Sequence, residues 1–329
     1  MTVAALALAA VSGLATPCFA DTAVASASDG RTSVVVADNK PRITAADEGS
    51  VAPGTPETTP RRPSSAGSSA SELSPQQLAK QITNPVTDLW QLQFQFNNMQ
   101  LEPSATPVSK QWVNNLYFQP VLPVRLTENV NLITRPVFTL YNSVPVPTGP
   151  DTTNRQTKLG DTILAQVFSP AGTEPWIIAA GPTWIFPTAG SDETGQGKWQ
   201  VGPAIGGGYI TDQFLAGALT QQWWSFAGDS GRKSTSQMAI LPLLYRFFPG
   251  GWSIGYSGQI LADWKAPSGE RWTVPLGLSV GKIVQFGMLP VQIQVGTQYF
   301  VERPTAGPKL NLQLQITPVI PRLISRTLF

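Results

Sequence analysis

From Leu89 to Thr317 polar and apolar residues alternate in short runs. The cleanest are Trp90-Gln-Leu-Gln-Phe-Gln-Phe96, Val291-Gln-Ile-Gln-Val295 and Leu310-Asn-Leu-Gln-Leu-Gln-Ile316. A period of two sends successive side chains to opposite faces of a β-strand. One face here is Trp, Leu, Phe, Ile and Val, and the other is almost entirely Gln and Asn. Such a sheet meets lipid on one side and water on the other, and in lipid it must close so that no edge is left unpaired. The pattern predicts an all-β fold, a closed antiparallel transmembrane β-barrel.

Twelve strand-like segments follow from Asp88, near 88–97, 112–125, 130–141, 159–168, 176–186, 198–210, 213–225, 236–247, 252–264, 271–283, 290–300 and 309–319. The gaps between them alternate, short at Leu126–Asn129, Thr211–Asp212 and Phe248–Gly251, and long at Asn98–Gln111, Asn142–Lys158 and Pro187–Gly197. Bacterial barrels have an even strand count, short periplasmic turns, longer outside loops and both termini in the periplasm. The tryptophans follow the same map. Trp90, Trp176 and Trp252 fall at periplasmic strand starts, and Trp112, Trp184, Trp199, Trp223, Trp224, Trp264 and Trp272 at outer ends. That is the placement expected of two interfacial girdles. Pro120, Pro136, Pro203 and Pro275 fall inside strands, where each removes a ladder donor, and bulges are expected there. Pro318 and Pro321 close the last strand, and Phe329 is a displaced terminal aromatic or a coincidence.

Residues 73–87 are expected to form a short lead-in helix or a plug. Ser74 is placed as N-cap, Pro75 as first helical residue, Gln77 as capping-box partner, and Leu73 with Leu78 as hydrophobic staple, while Pro85 stops the helix. A helix below the barrel and a plug entering it both remain open. Residues 21–72 are Ser, Thr, Ala, Pro and Gly with no aromatic side chain. Too little apolar area exists there to offset the entropy of ordering, so a disordered periplasmic linker is expected. Val3 to Ala20 reads as a signal-peptide core ending in Cys18-Phe19-Ala20, with cleavage before Asp21, although no Lys or Arg precedes it.

Charged residues are 13% of the chain, about half the share usual in soluble domains, and hydrophobic residues are 42%. Mean hydropathy is −0.02. A barrel with one lipid face and one water face lies between soluble proteins and helical membrane proteins on both measures. A net charge of +2 points to no nucleic-acid partner. With no histidine, and with the single cysteine, Cys18, in the segment expected to be removed, no His/Cys metal site, cofactor or disulfide is expected. Ser-His-acid chemistry is excluded for the same reason, and no enzyme activity is expected.

Several motifs have a familiar look. They are Gly160-Asp-Thr-Ile-Leu164, Gly197-Lys-Trp-Gln-Val-Gly-Pro203, Ser268-Gly-Glu-Arg-Trp-Thr-Val-Pro-Leu-Gly277, Val280-Gly-Lys-Ile283, Leu78-Ala-Lys-Gln81 and Asn84-Pro-Val86. Together, over Leu78 to Pro321, the chain resembles a family of bacterial outer-membrane proteins grouped with putative phenol meta-degradation proteins, often carrying the name "neuromedin U". The resemblance implies a transporter-like outer-membrane barrel of a Gram-negative bacterium and hints at aromatic solutes.

Closure makes the first and last strands neighbours. Gln91, Gln93, Gln95 and Asn97 then share a lumen wall with Gln292, Gln294, Gln298, Asn311, Gln313 and Gln315. Uncharged amides interact with polar neutral solutes and only weakly with ions, and they also bridge strands as ladders. Elsewhere the inward positions are small, among them Gly181, Thr183, Gly202, Ala204, Gly206, Gly208, Gly255, Ser257, Gly277 and Ser279. Twelve strands at ~4.8 Å spacing and ~40° tilt give a radius of roughly 12 Å, room for a narrow pore. Asp263, Lys265 and Arg271 are expected to point inward at the outer mouth, and Arg125 and Arg135 lower down. The expected function is a passive narrow channel for small neutral or weakly polar solutes. The alternative is a structural or surface-interaction barrel with a blocked lumen. The partners are the bilayer, the outer-membrane insertion machinery and the solute.

Overall fold

A computed structural model of the chain describes residues 73–101, 111–149, 152–305 and 307–321. The expected signal peptide, linker and terminal Phe329 lie outside these residues. The described part is a helix, α1 (Pro75–Thr83), followed by fourteen strand segments. These are β1 (Trp90–Leu101), β2 (Gln111–Thr127), β3 (Val130–Gly149), β4 (Thr152–Leu159), β5 (Thr162–Pro170), β6 (Trp176–Phe186) and β7 (Lys198–Ile210). The rest are β8 (Phe214–Gly228), β9 (Ser236–Phe248), β10 (Trp252–Tyr256), β11 (Ile260–Asp263), β12 (Trp272–Phe286), β13 (Leu289–Glu302) and β14 (Pro308–Ile320).

The fourteen segments make twelve staves, because β4 with β5 and β10 with β11 are each one stave broken in the middle. Every pairing is antiparallel between neighbours, and β1 pairs both β2 and β14, so the sheet closes into a barrel. Closure satisfies backbone groups that an open sheet would leave bare at its edges. Several strands run a few residues past the sequence pattern, and three differences are structural. β3 runs on past 141 to Gly149 and pairs with β4, which the pattern assigns to a loop. The ninth stave is interrupted at 257–259. β14 continues through Pro318, which stands opposite Val291, to Ile320.

Six of the strand prolines, Pro120, Pro136, Pro182, Pro203, Pro242 and Pro275, meet one another or a break. Pro182 lies directly opposite Pro203. Pro120 and Pro136 fall in one gap of the β2–β3 ladder, between Phe118↔Phe138 and Leu122↔Thr134. The register on either side of the 257–259 break puts Pro242 of β9 against Gly258, and Pro275 of β12 against Gln259. Two facing prolines remove their donors at one level, so one local irregularity replaces two.

The side chains then sort by face. Outward stand exposed Phe138, Phe168, Ile178, Ile205, Leu244, Ile254, Leu276, Val295 and Leu312. Phe94, Phe118 and Phe138 stack across β1, β2 and β3 at centroid distances of 4.9 and 6.1 Å. At the end with the short turns, Trp176, Tyr209 and Phe214 pack edge to face and stacked, and Lys282 sits 4.7 Å over the ring of Trp252. At the other end, Phe186 packs on Trp199 and Trp264 on Trp272. Trp223 departs from this girdle: it points inward, with 1% exposure, and its indole N–H donates to Thr183 Oγ1 (3.1 Å). The double tryptophan at 223–224 forces this, since adjacent strand residues face opposite ways.

Candidate functional site: the lumen

The barrel encloses a cavity of about 290 Å³, at the small end for ligand sites. Its floor is the C-terminal end of α1, where Ile82, Thr83, Asn84 and Pro85 face the cavity. The capping box forms as the sequence implies: the Gln77 N–H donates to Ser74 Oγ (3.3 Å), and the Ser74 N–H to Gln77 Oε1 (2.9 Å). The apolar face of α1, Leu78, Ala79 and Ile82, packs on inward residues of the staves around it, including Ile177, Ile210, Leu215, Leu243, Phe247, Ile283 and Val319. The helix is therefore seated inside the turn end of the barrel. Burying Leu78 and Ile82 contributes about 3–6 kcal/mol. Lys80 adds ion pairs to Glu174 (3.2 Å) and Asp212 (3.3 Å), whose carboxylates are largely exposed. Such pairs contribute about 0.2–1 kcal/mol each, so apolar packing holds the floor.

One wall comes from β1, β2, β13 and β14. All eight glutamines of the seam, Gln91, Gln93, Gln95, Gln292, Gln294, Gln298, Gln313 and Gln315, line the cavity. Most of their amides are engaged with neighbours. Asn311 Nδ2 donates to Asn97 Oδ1 (3.1 Å), and Asn97 Nδ2 to Asn115 Oδ1 (2.8 Å). Gln298 Nε2 donates to Gln313 Oε1 (3.0 Å) and Ser257 Oγ (3.1 Å), and Gln119 Nε2 to Gln95 Oε1 (3.2 Å). Gln294 Nε2 donates to Ser279 Oγ (2.6 Å), and Gln91 Nε2 to the Ile82 carbonyl of α1 (3.3 Å). The seam is a hydrogen-bonded ladder across the closing strands.

The facing wall is apolar. Ile163, Ile185, Leu219, Trp223, Leu241, Leu243 and Leu261 line it. The sequence pattern missed this, because Met238-Ala-Ile-Leu-Pro-Leu-Leu-Tyr245 is apolar on both faces and has no alternation to read. Low in the cavity Arg135 and Tyr245 approach from nearly opposite staves, and the phenol lies within the field of the guanidinium. Gly255 on the neighbouring stave makes room for the tyrosine ring, since a Cβ there would come within 2.2 Å of Tyr245 Cδ1.

The far end is narrowed by the 187–197 loop, whose Thr194, Gly195 and Gln196 reach the cavity. Asp161, at the break between β4 and β5 and beyond the Phe186–Trp199 girdle, holds it. Its carboxylate accepts the N–H groups of Gln196 (2.7 Å) and Ala189 (3.2 Å). Burial pushes the Asp161 carboxyl above the usual range, opposed by those two N–H donors and by Arg232. Arg232 in turn pairs with Asp192 (3.3 Å) and donates to the carbonyls of Gly195 and Gln196. Gln196, Gln200 and Gln237 form a second amide cluster beneath the loop, with Gln237 Nε2 donating to Gln196 Oε1 (2.9 Å) and Gln200 Oε1 (2.8 Å). The Gly160-Asp161 motif was visible in the sequence, but its partners lie some 30 residues away.

The charges expected at the outer mouth do not line this cavity. Asp263 accepts the Lys265 N–H (2.9 Å) in the turn after β11, and its own N–H donates to the Arg271 carbonyl (2.9 Å). Lys265 is exposed and Arg271 half-buried. The group organises the β11–β12 turn. Arg125 is also absent from the cavity wall, whereas Arg135 is part of it.

No family model matches the sequence, and no curated protein matches it significantly. Among solved structures the chain is similar to an outer membrane channel from Pseudomonas putida F1, with 16% identity, a TM-score of 0.49, and 70% of this chain and 96% of that one covered. It is also similar to a FadL homologue of Pseudomonas aeruginosa, with 9% identity, a TM-score of 0.29, and 72% and 91% covered. A third is a BenF-like porin from Pseudomonas fluorescens Pf-5, with 10% identity, a TM-score of 0.26, and 70% and 98% covered.

Proposed function

We propose that the chain is an outer-membrane barrel of a Gram-negative bacterium that works as a narrow passive channel for small solutes, and that α1 and the 187–197 loop close it at rest. The observation that carries this is the outer surface together with the lumen. Large apolar side chains cover the outside between two aromatic girdles, while a cavity with one wall of amides lies inside. β6 has eleven residues from Trp176 to Phe186. At ~3.3 Å per residue and ~40° tilt it separates the girdles by about 25 Å, the height of the apolar band of outer-membrane barrels. The turn end, where α1 enters, is periplasmic in this reading, and the long loops face outward. The partners are the bilayer, the insertion machinery and the solute, and no catalysis is assigned. The resemblance to proteins grouped with phenol meta-degradation supports aromatics among the solutes.

A specific observation favours a second reading, a permanently blocked structural barrel: α1 is packed into the turn end on an apolar seat. Planar-bilayer conductance separates the two. The channel reading expects brief or small steps from the full chain and larger steady steps after deletion of the residues before Pro85. Silence from both, with the folded barrel verified by a heat-dependent gel shift, would establish the blocked reading.

A further inference from the structure

Among the described residues no carboxylate comes within ion-pair distance of Arg135. Its Nη2 donates to the neutral amide oxygens of Gln119 (2.7 Å) and Gln93 (3.4 Å), and its Nε is buried with no partner among the described residues. A lone cation inside a barrel is costly unless it is paired or solvated. This one also lines the cavity, on a stave nearly opposite that of Tyr245. The guanidinium fork matches a carboxylate through two parallel hydrogen bonds, whereas Gln93 and Gln119 offer oxygens without charge.

The same cavity has a second chemistry. Leu219, Trp223, Leu241 and Leu243 supply an apolar wall. A small inorganic anion would satisfy Arg135 and leave that wall in contact with water. A neutral aromatic would cover the wall and leave Arg135 unpaired. A molecule with one carboxylate on a compact apolar body does both. Most of the seam amides are engaged by their neighbours and then act as a rigid frame around the site.

We propose that the lumen holds a binding site for a small organic monocarboxylate, with the carboxylate on Arg135 and an aryl or branched alkyl body against the apolar wall. This rests on the channel reading and names its solute class. It also replaces the expectation of neutral solutes, which followed from the amides alone.

The test is a tryptophan-fluorescence titration of the purified full chain with phenylacetate, with the neutral isostere phenylacetamide, and with acetate. Trp223 in the cavity is the reporter. Phenylacetate is expected to bind at least about tenfold more tightly than either analogue, the scale of a charge-assisted hydrogen-bonded pair. Arg135→Gln should abolish the preference over the amide, and Arg135→Lys should retain part of it, each variant being checked for its heat-dependent gel shift. Equal affinity for phenylacetate and phenylacetamide in the unaltered chain would overturn the proposal without any variant. So would phosphate or acetate competing as well as phenylacetate. Conductance in potassium chloride is read separately, so a conducting barrel with no carboxylate preference would refute this site and leave the channel reading intact.

Discussion

The two walls of the lumen are built on opposite principles. On β1, β13 and β14 inward amides bond to one another across the strand pairs that close the barrel, and outward positions are Leu, Phe, Ile and Val. On β8 and β9 the inward Leu219, Leu241 and Leu243 make a second, interior hydrophobic surface below the polar Gln221 and Gln237. The polar wall gains stiffness and loses free donors. The apolar wall gains adhesion, for a solute or for the chain's own helix. Polarity along the sequence therefore marks the wall that frames the lumen, and the wall that grips is hidden in a run with no period.

The largest expected effect comes from unseating α1, because the apolar wall holds it. Ile82→Asp places a charge in the cluster of Ile177, Leu215, Leu243 and Phe247. Burying that charge unpaired costs more than the helix gains from packing, so the helix should leave the barrel and conductance steps should grow several-fold. Gln91→Leu removes the bond from the amide wall to the Ile82 carbonyl and should leave the steps nearly unchanged. If the two variants behave alike, the division of labour between the walls is wrong.

Next come substitutions in the walls themselves, read as the temperature of the heat-dependent gel shift and as denaturant midpoints. Leu243→Ala removes a side chain with 5% exposure that packs against the α1 seat, and is expected to cost about 2–5 kcal/mol. Gln298→Ala strips partners from Gln313, Asn311 and Ser257 and should cost about 1–3 kcal/mol. Since the polar ladder closes the sheet, Gln298→Ala should act mainly on barrel stability and little on solute affinity. Leu243→Ala should lower both.

How far the sequence reveals this molecule follows from the same contrast. Barrel closure, the stave count, the capped helix and the seam glutamines are all local signals, a period of two or a cap three residues apart. Besides the apolar wall, three features were not legible. β4 carries charged and polar residues at nearly every position, Thr152-Thr-Asn-Arg-Gln-Thr-Lys158, so it reads as loop although β3 pairs with it. The break in the ninth stave depends on Pro242 and Pro275 in its two neighbours, which register alone brings to it. Trp223 was placed in a girdle by its position near a strand end, and parity with Trp224 decides its face.

The smallest effect concerns the loop end, where a charge replaces both kinds of wall. Asp161 holds the 187–197 loop through two N–H donors. Asp161→Asn keeps the shape but turns one of the two accepting oxygens into an NH2 donor facing a backbone N–H, and that lost hydrogen bond should loosen the loop by about 1 kcal/mol, seen as more frequent brief openings. The pH dependence has a sign that the hydrogen bonds alone would not suggest. Burial raises the Asp161 pKa in the pinned state, more than the N–H donors and Arg232 lower it. The pinned loop thus binds a proton more tightly than the released loop, where the carboxyl returns to its ordinary range. Release should become easier as pH rises from the ordinary carboxylate range through the raised value, and should level off above it. Openings of the unaltered chain should then increase over that window, and those of Asp161→Asn should not. Openings that decrease as pH rises would mean that the donors, rather than burial, set the balance at this carboxylate.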